Sequence, residues 1–196
     1  LSAIDHVRSP ASGYEVERVE GTAVSAIHSV YQETRPSKIH VPREEAFVRW
    51  RFANPRWTTR TYVASDEDGP TATLVVATER IGESVIARIL DVQPMATDPE
   101  RRDAVEAALL AAVADQRTAD VIEASAMPFP RVFRRHGFLS DSSFPFERVS
   151  TPTTHAVRPL EAEREVVHDG GTASPLGCDV LDADNWLLSL ADRDVA

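Results

Sequence analysis

The chain has 196 residues, a single cysteine and a formal net charge of −10. That length supports one domain with a sizeable core, and the lone Cys178 excludes an internal disulfide or a cysteine-cluster metal site. The acidic balance argues against non-specific nucleic-acid binding, which needs a basic face, and no apolar run approaches the ~18 residues that span a bilayer.

Lys38 is the only lysine; every other basic side chain apart from histidine is an arginine. An acidic, nearly lysine-free composition is that of salt-adapted cytosolic proteins, in which carboxylates keep the surface hydrated. Codon bias in a high-GC genome also favours arginine, but it does not account for the acidic excess. A cytoplasmic location is expected, since a single thiol suits a reducing compartment and no charged, apolar and small-residue leader is visible. The chain opens on Leu1 rather than Met, so a longer precursor or a trimmed chain is expected, with residues upstream of Leu1.

Residues 1–12 are polar, contain Pro10, and read as a lead-in. Tyr14, Val16 and Val19 mark a first strand, followed at Gly21-Thr22 by a helix through Ala23, Val24, Ile27, Val30 and Tyr31. That helix must stop before Pro36. After a loop at His40-Val41-Pro42, Pro42 heads a second helix, with Glu44 and Glu45 placed favourably against its dipole. It carries Phe47, Val48, Trp50 and Phe52 and ends near Asn54-Pro55. WTTRTYVASD and TATLVVATER are strands joined by the turn DEDGP, and Ile81-Gly82-Glu83 turns into a third, GESVIARILDVQPM. That strand becomes solidly apolar, as one entering a buried sheet should.

DPERRDAVEAALLAAVADQRT places Val105, Ala108, Leu109, Ala112 and Val113 at helical spacing. Val121 and Ile122 then start a short strand that Pro128 and Pro130 close. Strand, crossover helix and strand make a right-handed βαβ unit with parallel strands. A short helix follows, ended by Gly137 at the position after its cap, with Phe138 stapling the chain behind it. Residues 143–150 and 154–160 are two last strand candidates. Residues 161–184 are acidic, rich in Gly and Ser and without periodicity, which suggests a linker. Asn185 to Leu190 returns to strand-like or short helical character.

This order, β-α-α-β-β-β-α-β-α-β-β, together with the Gly137-Phe138 ending, resembles the GNAT superfamily of N-acetyltransferases over residues 13–160, leaving 161–196 as an acidic linker and a short terminal element. The resemblance implies an α/β (α+β) fold, with a mixed, partly parallel twisted sheet of about seven strands flanked by about four helices. It also implies an acyl-CoA-dependent N-acyltransferase that passes an acetyl group from acetyl-CoA, or another acyl group, to an amine of a small molecule or peptide. No membrane or nucleic-acid partner is expected; a homodimer or an upstream domain is.

In that family the crossover helix receives the acyl-CoA pyrophosphate on a loop reading Arg or Gln, two residues, Gly, one residue, Gly or Ala. Aligned on Leu109-Leu110, Arg101 takes the first position, Ala104 the first glycine and Glu106 the second. Arg102, Phe133 and a backbone N–H at Val92, just after Asp91, complete the expected cofactor contacts. Glu106, Asp98, Glu100 and Asp103 repel a diphosphate; the alternative is that these acids simply cap a helix start.

The family's tyrosine acid lies four residues before the glycine, where this chain has Phe133, which has no proton to give. His136 and Ser125 are candidates to replace it. Their alternatives are a surface residue offsetting a helix dipole and a small residue that lets a strand pack closely. Asp91 is the candidate base or water-orienting residue, with a strand-end cap as its alternative. Arg51 and Trp57, within RWRFANPRW, are candidate acceptor-binding residues, because an arginine among aromatics can clamp a carboxylate or phosphate. The alternative makes Trp50 and Phe52 core, with Arg51 outside.

The histidines have no ligand-like spacing, so no metal site is expected. Loss of both loop glycines and of the tyrosine favours a second function, that of a catalytically degenerate GNAT-like interaction or substrate-recognition module, one half of a longer tandem protein. A Fem-type half using an aminoacyl-tRNA fits the acidic chain less well.

Overall fold

The computed structural model describes residues 5–8, 13–124, 128–140, 183–189 and 192. In chain order the elements are β1 (Asp5–Arg8), β2 (Glu15–Glu20), α1 (Val24–Glu33), β3 (Ile39–His40), α2 (Glu45–Arg51), β4 (Thr58–Asp66), β5 (Gly69–Ile81) and β6 (Ser84–Gln93). A 3-10 turn (Pro99–Arg101) then leads into α3 (Arg102–Asp115), followed by β7 (Val121–Ala124), α4 (Pro130–Arg135), a second 3-10 turn (Ala183–Asn185) and β8 (Trp186–Leu187). The chain divides into two compact units. The first is Leu1–Pro36, Val41–Phe129 and Leu188–Ala196; the second is Ser37–His40 and Pro130–Leu187.

The first unit holds a six-stranded sheet in the order β1-β2-β4-β5-β6-β7. Every neighbouring pair is antiparallel except β6 and β7, which run parallel across the α3 crossover. With four α-helices and eight described strands, two of them only two residues long, this is a mixed α/β fold with a GNAT-like topology. β1 lies in the segment that reads from sequence as a polar lead-in; among the described residues it is the edge strand and pairs only with β2. Among the described residues, no helix is long and apolar enough to cross a membrane.

β5 is buried continuously from Thr71 to Ala77 because helices cover both faces of the sheet. On one face Ile27 of α1, Val48 of α2 and Phe52 cluster with Val75, Ala77 and Leu90. Strand alternation sends Leu74 and Val76 to the other face, where α3 packs against β4 and β5. α3 buries Ala104, Ala107, Ala108 and Ala112 beside Val105 and Leu109. The small alanines let the helix lie close to the sheet, so most of the apolar gain falls on the two larger residues, about 1.5–3 kcal/mol each.

Local chemistry sets the element ends. Gly21, at φ +87°, turns the chain into α1. The Thr61 hydroxyl accepts from Ala23 N–H at 3.1 Å and donates to the Gly21 carbonyl at 2.9 Å, tying this entry to β4. At the far end the Thr34 hydroxyl donates to the Val30 carbonyl.

The β5–β6 ladder carries a bulge that matters for the site. Val75 lies opposite Asp91 but Val76 lies opposite Ile89, so Leu90 is an extra residue. The bulge puts Leu90 and Asp91 on the same face: Leu90 joins the cluster of Ile27, Val48 and Phe52, while Asp91 sits across from Val75. Among the described residues, the β6–β7 ladder ends at Ile89 and Ala124, and β6 runs on to Gln93 paired with β5.

In the second unit, β3 and β8 pair in parallel, Ile39 with Trp186 and His40 with Leu187. A strand thus occupies His40, where the sequence reads as a loop. Lys38 Nζ donates to the Asp184 carbonyl at 2.7 Å. The end of α4 follows the sequence closely. Phe138 N–H donates to the Phe133 carbonyl and Gly137 N–H to the Arg134 carbonyl, which is the Schellman pattern. Gly137 has φ +85°, a conformation that glycine adopts without Cβ strain. The Phe133 and Phe138 rings meet edge to face at 5.1 Å. The strand candidates at 143–150 and 154–160 lie outside the described residues.

Candidate functional site

The start of α3 is where the sequence expects a diphosphate. An α-helix leaves its first amides without intrahelical partners, and these are what would bind an anion. In the 3-10 turn that leads into α3, the chain itself takes up the amides. Pro99 has no N–H; Glu100 N–H donates to the Asp98 carboxylate at 3.0 Å. Arg101 N–H donates to the Asp98 carbonyl at 3.2 Å and Arg102 N–H to the Pro99 carbonyl. The 3-10 turn runs straight into α3, so the residues aligned with the family's loop are already helical.

The side chains point the same way. Arg101 donates through Nη1 to the Thr71 carbonyl at 3.0 Å and through Nη2 to Glu33 at 2.9 Å. Arg102 is paired with Asp103 at 3.2 Å and exposed. Ala104 is fully buried and Glu106 half-buried. Asp98, Glu100, Asp103 and Glu106 outnumber the two arginines in this turn. The residues present do not fit the diphosphate of an acyl-CoA: the Glu100, Arg101 and Arg102 amides are bonded within the turn and the local charge has the wrong sign.

The second concentration of chemistry is around Asp91. Arg43, immediately before the first turn of α2, is completely buried. Its Nε and Nη2 donate to Asp91 Oδ1 at 3.1 and 2.9 Å. Nη1 and Nη2 also reach the two oxygens of Asp192, at 2.7 and 2.9 Å, as a bidentate pair. Nη1 further donates to the Val41 carbonyl at 2.7 Å, and Nη2 to Ser189 Oγ at 3.0 Å. Burial alone would lower the Arg43 pKa, but the Asp91 and Asp192 carboxylates more than offset it and hold the guanidinium above its ordinary value.

Asp91 is 1 % exposed, and its Oδ2 accepts from Gln93 Nε2 at 2.7 Å. The candidate base is therefore enclosed in an ion-paired network. Val92, beside it, is buried and paired in register with Leu74.

The candidate acceptor residues lie at the far end of α2. The Arg51 guanidinium stacks over the Trp57 ring at 5.4 Å, and Trp57 is partly buried against the Ile27, Val48 and Phe52 core. Phe52 is core, whereas Trp50 is 72 % exposed, its ring 6.0 Å from that of Phe47. Trp50 is thus not a core residue, contrary to the packing alternative that the sequence leaves open.

In the second unit, Phe133 is buried against Phe138, and His136 is half-buried at the end of α4, its N–H donating to the Phe133 and Val132 carbonyls. Ser125 lies outside the described residues.

The structure thus brings Asp91 and Val92 together on β6, Arg101, Arg102 and Ala104 at α3, and Arg51 with Trp57 after α2. Sequence reasoning missed Arg43. The available signal was a cation at a helix start, where the dipole favours acids. Ser189 and Asp192, 98 and 149 positions from their partners, gave none.

No family model matches the chain, and no curated protein matches it. Among solved structures, it is similar to a GCN5-related N-acetyltransferase from Anabaena variabilis ATCC 29413, with a TM-score of 0.41 and 18% identity. That match covers 55% of this chain and 27% of the other, so it spans about a quarter of that protein's length.

Proposed function

We propose that this chain is the substrate-recognition half of a GNAT-type N-acyltransferase rather than the half that holds acyl-CoA. The observation that carries this reading is the self-capped start of α3, where Asp98 takes the Glu100 amide and the next two amides bond within the turn. An acyl-CoA diphosphate would have to displace the Asp98 carboxylate from the turn, against the three other acids beside it. The recognition surface in this reading is the end of α2. Arg51 stacks over Trp57 there, and Trp50, 72 % exposed, presents a flat apolar contact to an amine-bearing acceptor.

A second reading is acyl-CoA-dependent transfer by this chain itself. It is favoured by one observation, the Leu90 bulge in β6 next to the described end of the β6–β7 ladder, since bulges recur beside active sites.

Calorimetric titration with acetyl-CoA at high salt separates the two. The first reading expects no saturable heat up to millimolar ligand. Micromolar binding, weakened by Arg101→Ala, would establish the second.

A further inference from the structure

Gln93 and Thr73 are cross-strand partners at the end of β6, 0 % and 1 % exposed. Among the described residues, neither Gln93 Oε1 nor Thr73 Oγ1 has a hydrogen-bond partner, so they do not bond to each other. The Gln93 amide cannot simply be turned over, because its Nε2 is spent on Asp91 Oδ2 at 2.7 Å and a flip would set two oxygens against each other. Oε1 is therefore an acceptor with no donor, in a place where such atoms are rare and costly.

The charge next to it is also incomplete. Among the described residues, the network holds one cation, Arg43, against two carboxylates, Asp91 and Asp192, whose side chains are each 1 % exposed. One negative charge is left over in a buried setting, where an uncompensated charge is expensive. A water between Thr73 and Gln93 would fill the hydrogen bonds and leave the charge unbalanced. A cation would do both.

We infer that Gln93 Oε1 and Thr73 Oγ1, backed by Asp91, form a site for a monovalent cation. The donors are neutral oxygens beside a carboxylate that is already paired, which suits a weakly hydrated single charge better than a divalent ion that demands several carboxylates. An alkali ion and the ammonium head of a small amine share that chemistry. The inference uses no group at the start of α3 and stands apart from the diphosphate question.

The test follows the melting temperature of the full chain at constant ionic strength, exchanging choline chloride, whose cation is too bulky for the site, for KCl, NaCl or methylammonium chloride. A bound ion raises Tm saturably, by about 5 °C at 100 times its dissociation constant. Thr73→Val and Gln93→Met, close in shape to the native residues, abolish that rise singly or together. Saturation by potassium or sodium identifies an alkali site; saturation by methylammonium alone identifies an amine subsite. Identical melting in all four salts overturns the inference, leaving a water or a proton in the gap. A rise that survives Thr73→Val overturns it too. Where the variants fold poorly, anomalous scattering from crystals of the unmodified chain grown with thallium(I) decides: a peak between Thr73 and Gln93 supports the site, and its absence rejects it.

Discussion

Replacing Arg43 with methionine tests whether the buried network holds α2 and residues 189 and 192 to β6. The methionine keeps much of the side-chain volume but removes the charge, leaving Asp91 and Asp192, each 1 % exposed, without their guanidinium. Stripping one partner from a buried ion pair costs about 3–5 kcal/mol, mostly the penalty of the abandoned charge. Here two carboxylates are abandoned, and the Val41 carbonyl and Ser189 hydroxyl also lose a donor. The expected loss is therefore at least about 4 kcal/mol, or a fall in Tm of about 10 °C for a chain of this size.

Urea denaturation with linear extrapolation reads the loss directly. Adding Asp91→Asn and Asp192→Asn to Arg43→Met should recover a large part of it, because the stranded charges go with their partner. A loss below about 1 kcal/mol in the single variant would refute the reasoning, as would a triple variant no more stable than the single one.

Further outcomes follow from the same physics. Burial, and for Tyr62 also its 2.6 Å bond to Asp115, holds the Tyr31 and Tyr62 phenols above their usual range. The native state keeps those protons while the unfolded chain sheds them near the ordinary tyrosine value of about 10, so stability is full below that pH and falls above it. Alkaline urea titrations should show that slope, and it should be shallower in Tyr62→Phe. Gly137→Ala forces a Cβ into a left-handed conformation and should destabilise the α4 end by about 1 kcal/mol, seen as faster hydrogen exchange at Phe138 N–H. Trp50→Ala, at a position 72 % exposed, should change stability by less than about 0.5 kcal/mol while removing most solvent-accessible tryptophan fluorescence quenching.

Elements governed by local chemistry were legible in the sequence. The end of α4 is written in the six residues from Phe133 to Phe138, since a glycine is needed after the cap and an aromatic behind it packs on Phe133. The apolar run in β6 and the helically spaced contacts of α3 likewise follow from period and burial. β1 was not legible, because DHVR is short and half polar and its place is set by pairing with β2.

The site divides along the same line. Asp91 stood out as a carboxylate in an apolar strand, but its partner lies 48 residues away and the second carboxylate 149 residues from that partner. No window of sequence contains both. The α3 start is the intermediate case. Its acids were visible, and so was the choice between capping and ligand binding, but only the Asp98 oxygen resting on the Glu100 amide gives that choice a geometry.

The most direct test of the account is a nitrogen-15 NMR titration of the chain with acetyl-CoA, following the backbone amides of Glu100, Arg101 and Arg102. Because those amides are already bonded to Asp98 and Pro99, the account predicts that their shifts stay fixed up to millimolar ligand. Saturable movement of the three together would contradict it and return the diphosphate to the start of α3.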